Sequence, residues 1–253
     1  MKEQIHTIPV NDAFLSGDEC PFCFLERQVE QRAINYTVGP EASYMESEAR
    51  GLTDEEGFCG HHLKMLYDFG NSLGSALILQ TYFKILNKEL EDEIEGFDLP
   101  PKRGLLPRKK AEGDDQASLL RWARKKQSTC YVCGKMEYNM NRYYETFFAL
   151  SKEAEFRGRV EACKGFCLRH FAELVESAER NLPNSQREWF YPTVFGLMKE
   201  NMARVKEDLD WLIAKYDYRN ADKPWGNSQD ALKRAMQKME GVYPADPAYK
   251  EKT

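Results

Sequence analysis

The sequence predicts an all-α protein made of two related helical halves, and three observations predict it. Two long segments carry apolar residues at helical spacing. No run of useful length shows the period-two alternation of a strand. A Cys-x-x-Cys motif followed by a Cys-x-x-His motif occurs twice, in the same order.

The elements follow in chain order. The opening stretch MKEQIHTIPVNDAF has no continuous apolar run, so no secretory leader is expected. Cys20-Pro21-Phe22-Cys23 comes next and is followed by GFCGHH, Gly57 to His62, with 35 residues between Cys23 and Cys59. From Leu73 to Ile94 the residues Leu77, Leu79, Phe83, Leu86, Leu90 and Ile94 recur at near-helical spacing and predict a long helix. Between Gly96 and Gln116 the composition turns to Pro, Gly and charge, which reads as a linker.

The second half repeats the order. Cys130-Tyr131-Val132-Cys133 is followed by GFCLRH, Gly165 to His170, with 33 residues between Cys133 and Cys167. A second long helix is expected from Thr193 to Tyr216 through Val194, Leu197, Met198, Val205, Leu209, Leu212 and Ile213. Pro192 suits its first turn, where the missing N–H costs nothing. In the tail, Ser228 suits an N-cap for QDALKRAMQKME, and Gly241 falls past its end. The expected organisation is a first metal-binding half at 1–95, a linker at 96–117, a second half at 118–216, and at 217–253 an arm and helix packing on the bundle.

Composition bounds the function. A net charge of −5 over 253 residues gives no general reason to expect nucleic acid or an anionic membrane. No run approaches the roughly 20 apolar residues of a membrane span. The expected compartment is the cytoplasm, where thiols stay reduced and paired cysteines indicate metal or catalysis rather than disulfides.

Six of the seven cysteines and two of the four histidines fall in the doubled pattern. The ligands read from it are Cys20, Cys23, Cys59 and His62 for one site, and Cys130, Cys133, Cys167 and His170 for the other. Three thiolates and an imidazole make a regular tetrahedral zinc set, and residues at i and i+3 of a helix share a face. That rule selects His62 and leaves His61 pointing elsewhere. Buried free cysteines and a thioredoxin-like redox pair compete with this reading. The first does not explain a four-donor pattern repeated in register, and the second lacks its usual preceding strand. Zinc, two ions, is the expected cofactor, with an iron–sulfur cluster as the alternative. Cys163 has no counterpart in the first half and reads as a core or surface thiol.

Other signals carry less. Asp217, Arg219, Asn220, Trp225 and Asn227 form a dense polar and aromatic group, either an arm docked by Trp225 or a small-ligand pocket for an anionic or planar molecule. Lys102, Arg103, Arg108, Lys109 and Lys110, then Arg121, Arg124, Lys125 and Lys126, invite a nucleic-acid reading, but interrupting acids favour a solvated face. Tyr138, Tyr143, Tyr144, Phe147 and Phe148 read as core rather than a stacking platform. Phosphate-loop, metalloprotease and serine-hydrolase signatures are missing, so no catalytic residue is nominated.

The segments TIPVNDAF, CPFCFLE, GFCGHH, GFCLRH and DYRNADKPWGNSQDA resemble an uncharacterised bacterial family classed as a domain of unknown function. The resemblance covers nearly the full chain. Some members carry the label of an ABC-transporter substrate-binding protein, which a chain with no expected leader does not suit. The resemblance places the eight Cys and His residues at the repeated family positions and makes the tail motif a family feature. It implies no activity. The expected function is therefore a structural or regulatory binding module for a protein or small-molecule partner rather than an enzyme. The alternative is an iron–sulfur or thiol-based redox enzyme whose substrate pocket is formed by the tail.

Overall fold

The computed structural model describes residues 7–40, 45–97 and 118–241. The protein is all-α: the described residues form eleven α-helices, two short 3-10 turns and no strand. In order they are α1 (Ile8–Leu15), α2 (Pro21–Val38), α3 (Ser47–Glu56), α4 (Gly60–Phe69), α5 (Ser72–Glu95), α6 (Ser118–Ser128), α7 (Tyr131–Leu150), α8 (Ala154–Glu161), α9 (Leu168–Asn181), α10 (Arg187–Ala214) and α11 (Ala231–Glu240). Among the described residues no helix is long and apolar enough to cross a membrane.

Both expected long helices form, as α5 and α10. Asn71 caps α5 by accepting the Gly74 N–H at 2.9 Å. α10 begins at Arg187, earlier than expected, so Pro192 lies inside the helix rather than in its first turn. The basic residues Lys102, Arg103, Arg108, Lys109 and Lys110, with the linker from 98 to 117, lie outside the described residues.

The compact units do not coincide with the two sequence halves. One is built from the described residues up to Val29 and from Met136 onward; the other runs from Glu30 to Lys135. The boundaries fall within α2 and α7 instead of at the linker. A long helix can give each of its ends to a different core, which a reading of composition along the chain does not anticipate.

The first unit is built on phenylalanine. Phe147 is fully buried, with ring centroids 5.6 Å from Phe14, 6.0 Å from Phe22, 5.6 Å from Phe156 and 6.3 Å from Phe190. Edge-on and tilted aromatic pairs of this kind add to the stabilisation from burial. Here α1 packs on α8, and α11 packs on α9 and α10. In the second unit α5 packs against α3, α4 and α6, with Ile34, Val38, Leu66, Phe69 and Ile78 buried.

Two candidate metal centres

Each of the four cysteine motifs begins a helix. Cys59 and Cys167 are the N-caps of α4 and α9, while Cys20 and Cys130 immediately precede α2 and α7. Their carbonyls accept the first helical hydrogen bonds, from Leu63, Phe171, Phe24 and Gly134 respectively. The second donor of each motif sits three residues on, in the first turn and on the same side. Unpaired N–H groups and the helix dipole favour negative charge at such positions.

A glycine two residues before the cysteine shapes both Gly-Phe-Cys turns. Gly57 has φ +63° and Gly165 has φ +76°, a region that residues with a Cβ rarely adopt. A Cβ on Gly57 would meet the Tyr82 hydroxyl at 2.6 Å, and one on Gly165 the Leu197 carbonyl oxygen at 3.1 Å.

The eight expected residues gather into two clusters, but crosswise. Cys20 and Cys23 stand with Cys167 and His170; Cys59 and His62 stand with Cys130 and Cys133. The pairing of Cys20 and Cys23 with Cys59 and His62 is therefore corrected. Spacing along the chain could not decide it, because the two Cys-x-x-Cys motifs are chemically alike and so are the two Cys-x-x-His motifs. The residues between and beside the cysteines decide it. Phe22 packs on Phe166 at 5.8 Å between centroids, and Tyr131 packs on Phe58 at 6.4 Å while donating its N–H to the Gly57 carbonyl at 2.9 Å.

The donor atoms lie within a few tenths of an ångström of the separations a tetrahedral ion sets. In the first cluster the His170 Nδ1 lies 3.5, 3.3 and 3.2 Å from the sulfurs of Cys20, Cys23 and Cys167. In the second, the His62 Nδ1 lies 3.2, 3.2 and 3.4 Å from those of Cys59, Cys130 and Cys133, and the Cys59 and Cys133 sulfurs are 3.9 Å apart. Metal–sulfur bonds of about 2.3 Å and a metal–nitrogen bond of about 2.0 to 2.1 Å place tetrahedral donors about 3.5 to 3.8 Å from one another. Each cluster can hold a metal ion.

The far side of each imidazole meets a carboxylate that the sequence reading missed. His62 Nε2 lies 3.1 Å from Glu30, which also binds His61 at 3.0 Å; His170 Nε2 lies 3.6 Å from Glu26, whose carboxylate is held by Arg169. At His62 such a partner fixes the ring and raises its basicity as a ligand, whereas His170 Nε2 is buried beyond hydrogen-bond distance of Glu26. Glu26 had a signal, since it follows Cys23 by three residues on one helix face. Glu30 had none.

The electrostatics of the two clusters follow from these contacts. Burial pushes both histidines down, but Cys130 and Glu30 outweigh it at His62, and Cys167 and Cys20 at His170, so both rise to about 10. Burial likewise raises Cys130, yet hydrogen bonds from His62 and the neighbouring backbone bring it down to about 6. Burial and the Cys130 charge push Cys133 up to about 12. In the first cluster, hydrogen bonds from Cys20 and Cys23 draw Cys167 well below the usual thiol range, while Cys23 is held as the thiol. Cys163 stands apart, its sulfur accepting the Gly165 N–H at 3.4 Å, and burial raises it to about 11.

The segment before Cys20 is held by α11 and α10. Lys238, 1% exposed, donates to the carbonyls of Glu19 and Lys164 at 2.6 and 2.5 Å and lies 3.3 Å from the Glu19 carboxylate. Arg204 also pairs with that carboxylate, and Gln237 donates to Asp18, which accepts the Cys20 N–H. A buried charge is tolerated when it is paired in this way.

The tail residues are occupied by one another. Asp217 caps a short turn and pairs with Arg219, while the Asn220 side chain donates to the Ala214 carbonyl. Lys215 donates to three carbonyls of the loop and lies over the Trp225 ring, which is 40% exposed. The Asn227 carbonyl accepts from Arg234. Ser228 donates to the Trp225 carbonyl, and Asp230 rather than Ser228 is the N-cap of α11. Of the aromatic series, Tyr144, Phe147 and Phe148 are core as expected, whereas Tyr138 is exposed beside Arg142. Of the basic series, Lys126 pairs with Glu89 at 2.8 Å.

The chain belongs to a family of unknown function, DUF6062, whose profile matches residues 1–246. No curated protein and no solved structure shows significant similarity to it.

Proposed function

We propose that this member of the family is a cytoplasmic zinc protein whose two Cys3His sites are structural, and that it serves as a binding or regulatory module rather than an enzyme. One observation carries the reading: each cluster joins two helix amino ends that are far apart in sequence, through a complete four-donor set. A closed set leaves no position for water or substrate, unlike the three-ligand sites of catalytic zinc. Cys20, Cys23, Cys167 and His170 would hold one ion, and Cys59, His62, Cys130 and Cys133 the other. The ion's contribution is folding energy, because it binds the gathered thiolates and not the unfolded chain. Three sulfurs with one nitrogen favour zinc, since iron–sulfur clusters more often use four thiolates.

Elemental analysis with an absorption spectrum tests this, on protein purified without oxygen or added metal. The expected result is about two zinc ions per chain and no visible band, as structural sites bind too tightly to lose metal on purification. Iron with sulfide and a brown chromophore would overturn the choice and favour electron transfer or radical chemistry.

A further inference from the structure

We propose that Cys59 and Cys133 form a thiol-oxidation site, at which a peroxide joins the two sulfurs as a disulfide and opens the second cluster while the first stays closed. The proposal deepens the zinc reading and rests on it.

The two clusters share a donor set and a helix-end geometry, so the difference between them is informative. In the first, Cys20, Cys23, Cys167 and His170 are all 0% exposed. In the second, Cys133 is exposed and Cys59 is partly so, while Cys130 and His62 are buried. Attack on a peroxide needs both thiolate character and access. Metal binding deprotonates every ligand cysteine, so both clusters would offer thiolates, and only the second offers them to solvent.

The accessible pair is also a close pair. The sulfurs of Cys59 and Cys133 are 3.9 Å apart and come from the starts of different helices, α4 and α7. A disulfide needs about 2.0 Å, so they must approach by roughly 2 Å. The Cys133 thiolate attacks one peroxide oxygen, the O–O bond breaks, and a sulfenic acid forms with hydroxide leaving. The Cys59 thiolate then attacks that sulfur, the S–S bond forms, and the second hydroxide leaves. Two thiolates lose two electrons, the peroxide gains them, and two solvent protons turn the hydroxides into water. The site is left with Cys130 and His62, two donors of four. Thiol reductants reverse the bond.

The test treats the full-length zinc-loaded protein with hydrogen peroxide. A chromophoric chelator follows metal release, and mass spectrometry after alkylation maps the sulfurs. The expected result is release of half the bound zinc, a Cys59–Cys133 bond, and Cys20, Cys23 and Cys167 alkylated only after denaturation. Release of both ions together, release of neither, or a Cys130–Cys133 bond would overturn the proposal. Zinc counted before the peroxide separates the two readings: a chain without zinc at the outset overturns the zinc assignment and this step with it, whereas a zinc-loaded chain that ignores peroxide overturns this step alone.

Discussion

Replacing Cys167 with serine is expected to cost the first unit both its metal and its fold. The Cys167 sulfur is fully buried, caps α9, and lies 3.2 Å from the His170 Nδ1. A hydroxyl does not replace a thiolate on zinc, so the site would fall to three donors. Binding at structural zinc sites is worth about 10 to 16 kcal/mol near neutral pH, and a domain's whole stability is about 5 to 15 kcal/mol. The loss is therefore comparable with the whole stability of the unit. Cys163 cannot step in, because its sulfur is turned to the Gly165 N–H and is outside the cluster. Metal content should fall by one ion per chain, with loss of near-ultraviolet circular dichroism from the aromatic core. A variant with full metal content and an unchanged melting curve would refute the role given to Cys167.

Phe147→Ala is expected to be the most damaging substitution away from the clusters. The ring is fully buried and meets Phe14, Phe22, Phe148, Phe156 and Phe190. Truncating a phenylalanine in such a position costs about 3 to 5 kcal/mol, the lost transfer energy plus the cavity left behind. Phe22, one of the neighbours, lies between Cys20 and Cys23, so the cavity should also loosen the first cluster. In urea the midpoint should fall with little change in slope, and chelators should strip metal from the first cluster faster than in the parent. A stability loss below about 1 kcal/mol would mean that the core closes over the gap, contrary to the packing described.

What the sequence made legible depended on whether the signal was local. The long helices α5 and α10 were readable because their apolar residues recur within one segment. The candidate donors were readable because Cys-x-x-Cys and Cys-x-x-His each place both donors on one turn of one helix. The pairing was not, since it depends on which aromatic meets which: Phe22 with Phe166, and Tyr131 with Phe58. Nor were the compact units, whose boundaries lie inside two continuous helices. Lys238 reads as a surface residue in KRAMQKME, yet it is buried because Glu19 and two carbonyls receive its ammonium group. In the tail the polar density was legible but not its use, which is to satisfy the loop's own carbonyls through Lys215 and Asn220.

The crosswise pairing of the cysteine motifs is the central claim, and metal content in two double variants tests it most directly. If each cluster is an independent closed site, Cys20→Ser with Cys167→Ser damages one site and should leave about one ion per chain, whereas Cys20→Ser with Cys59→Ser damages both and should leave about none. The reverse result, an ion retained by the second variant and none by the first, would contradict the crosswise arrangement and restore pairing along the chain.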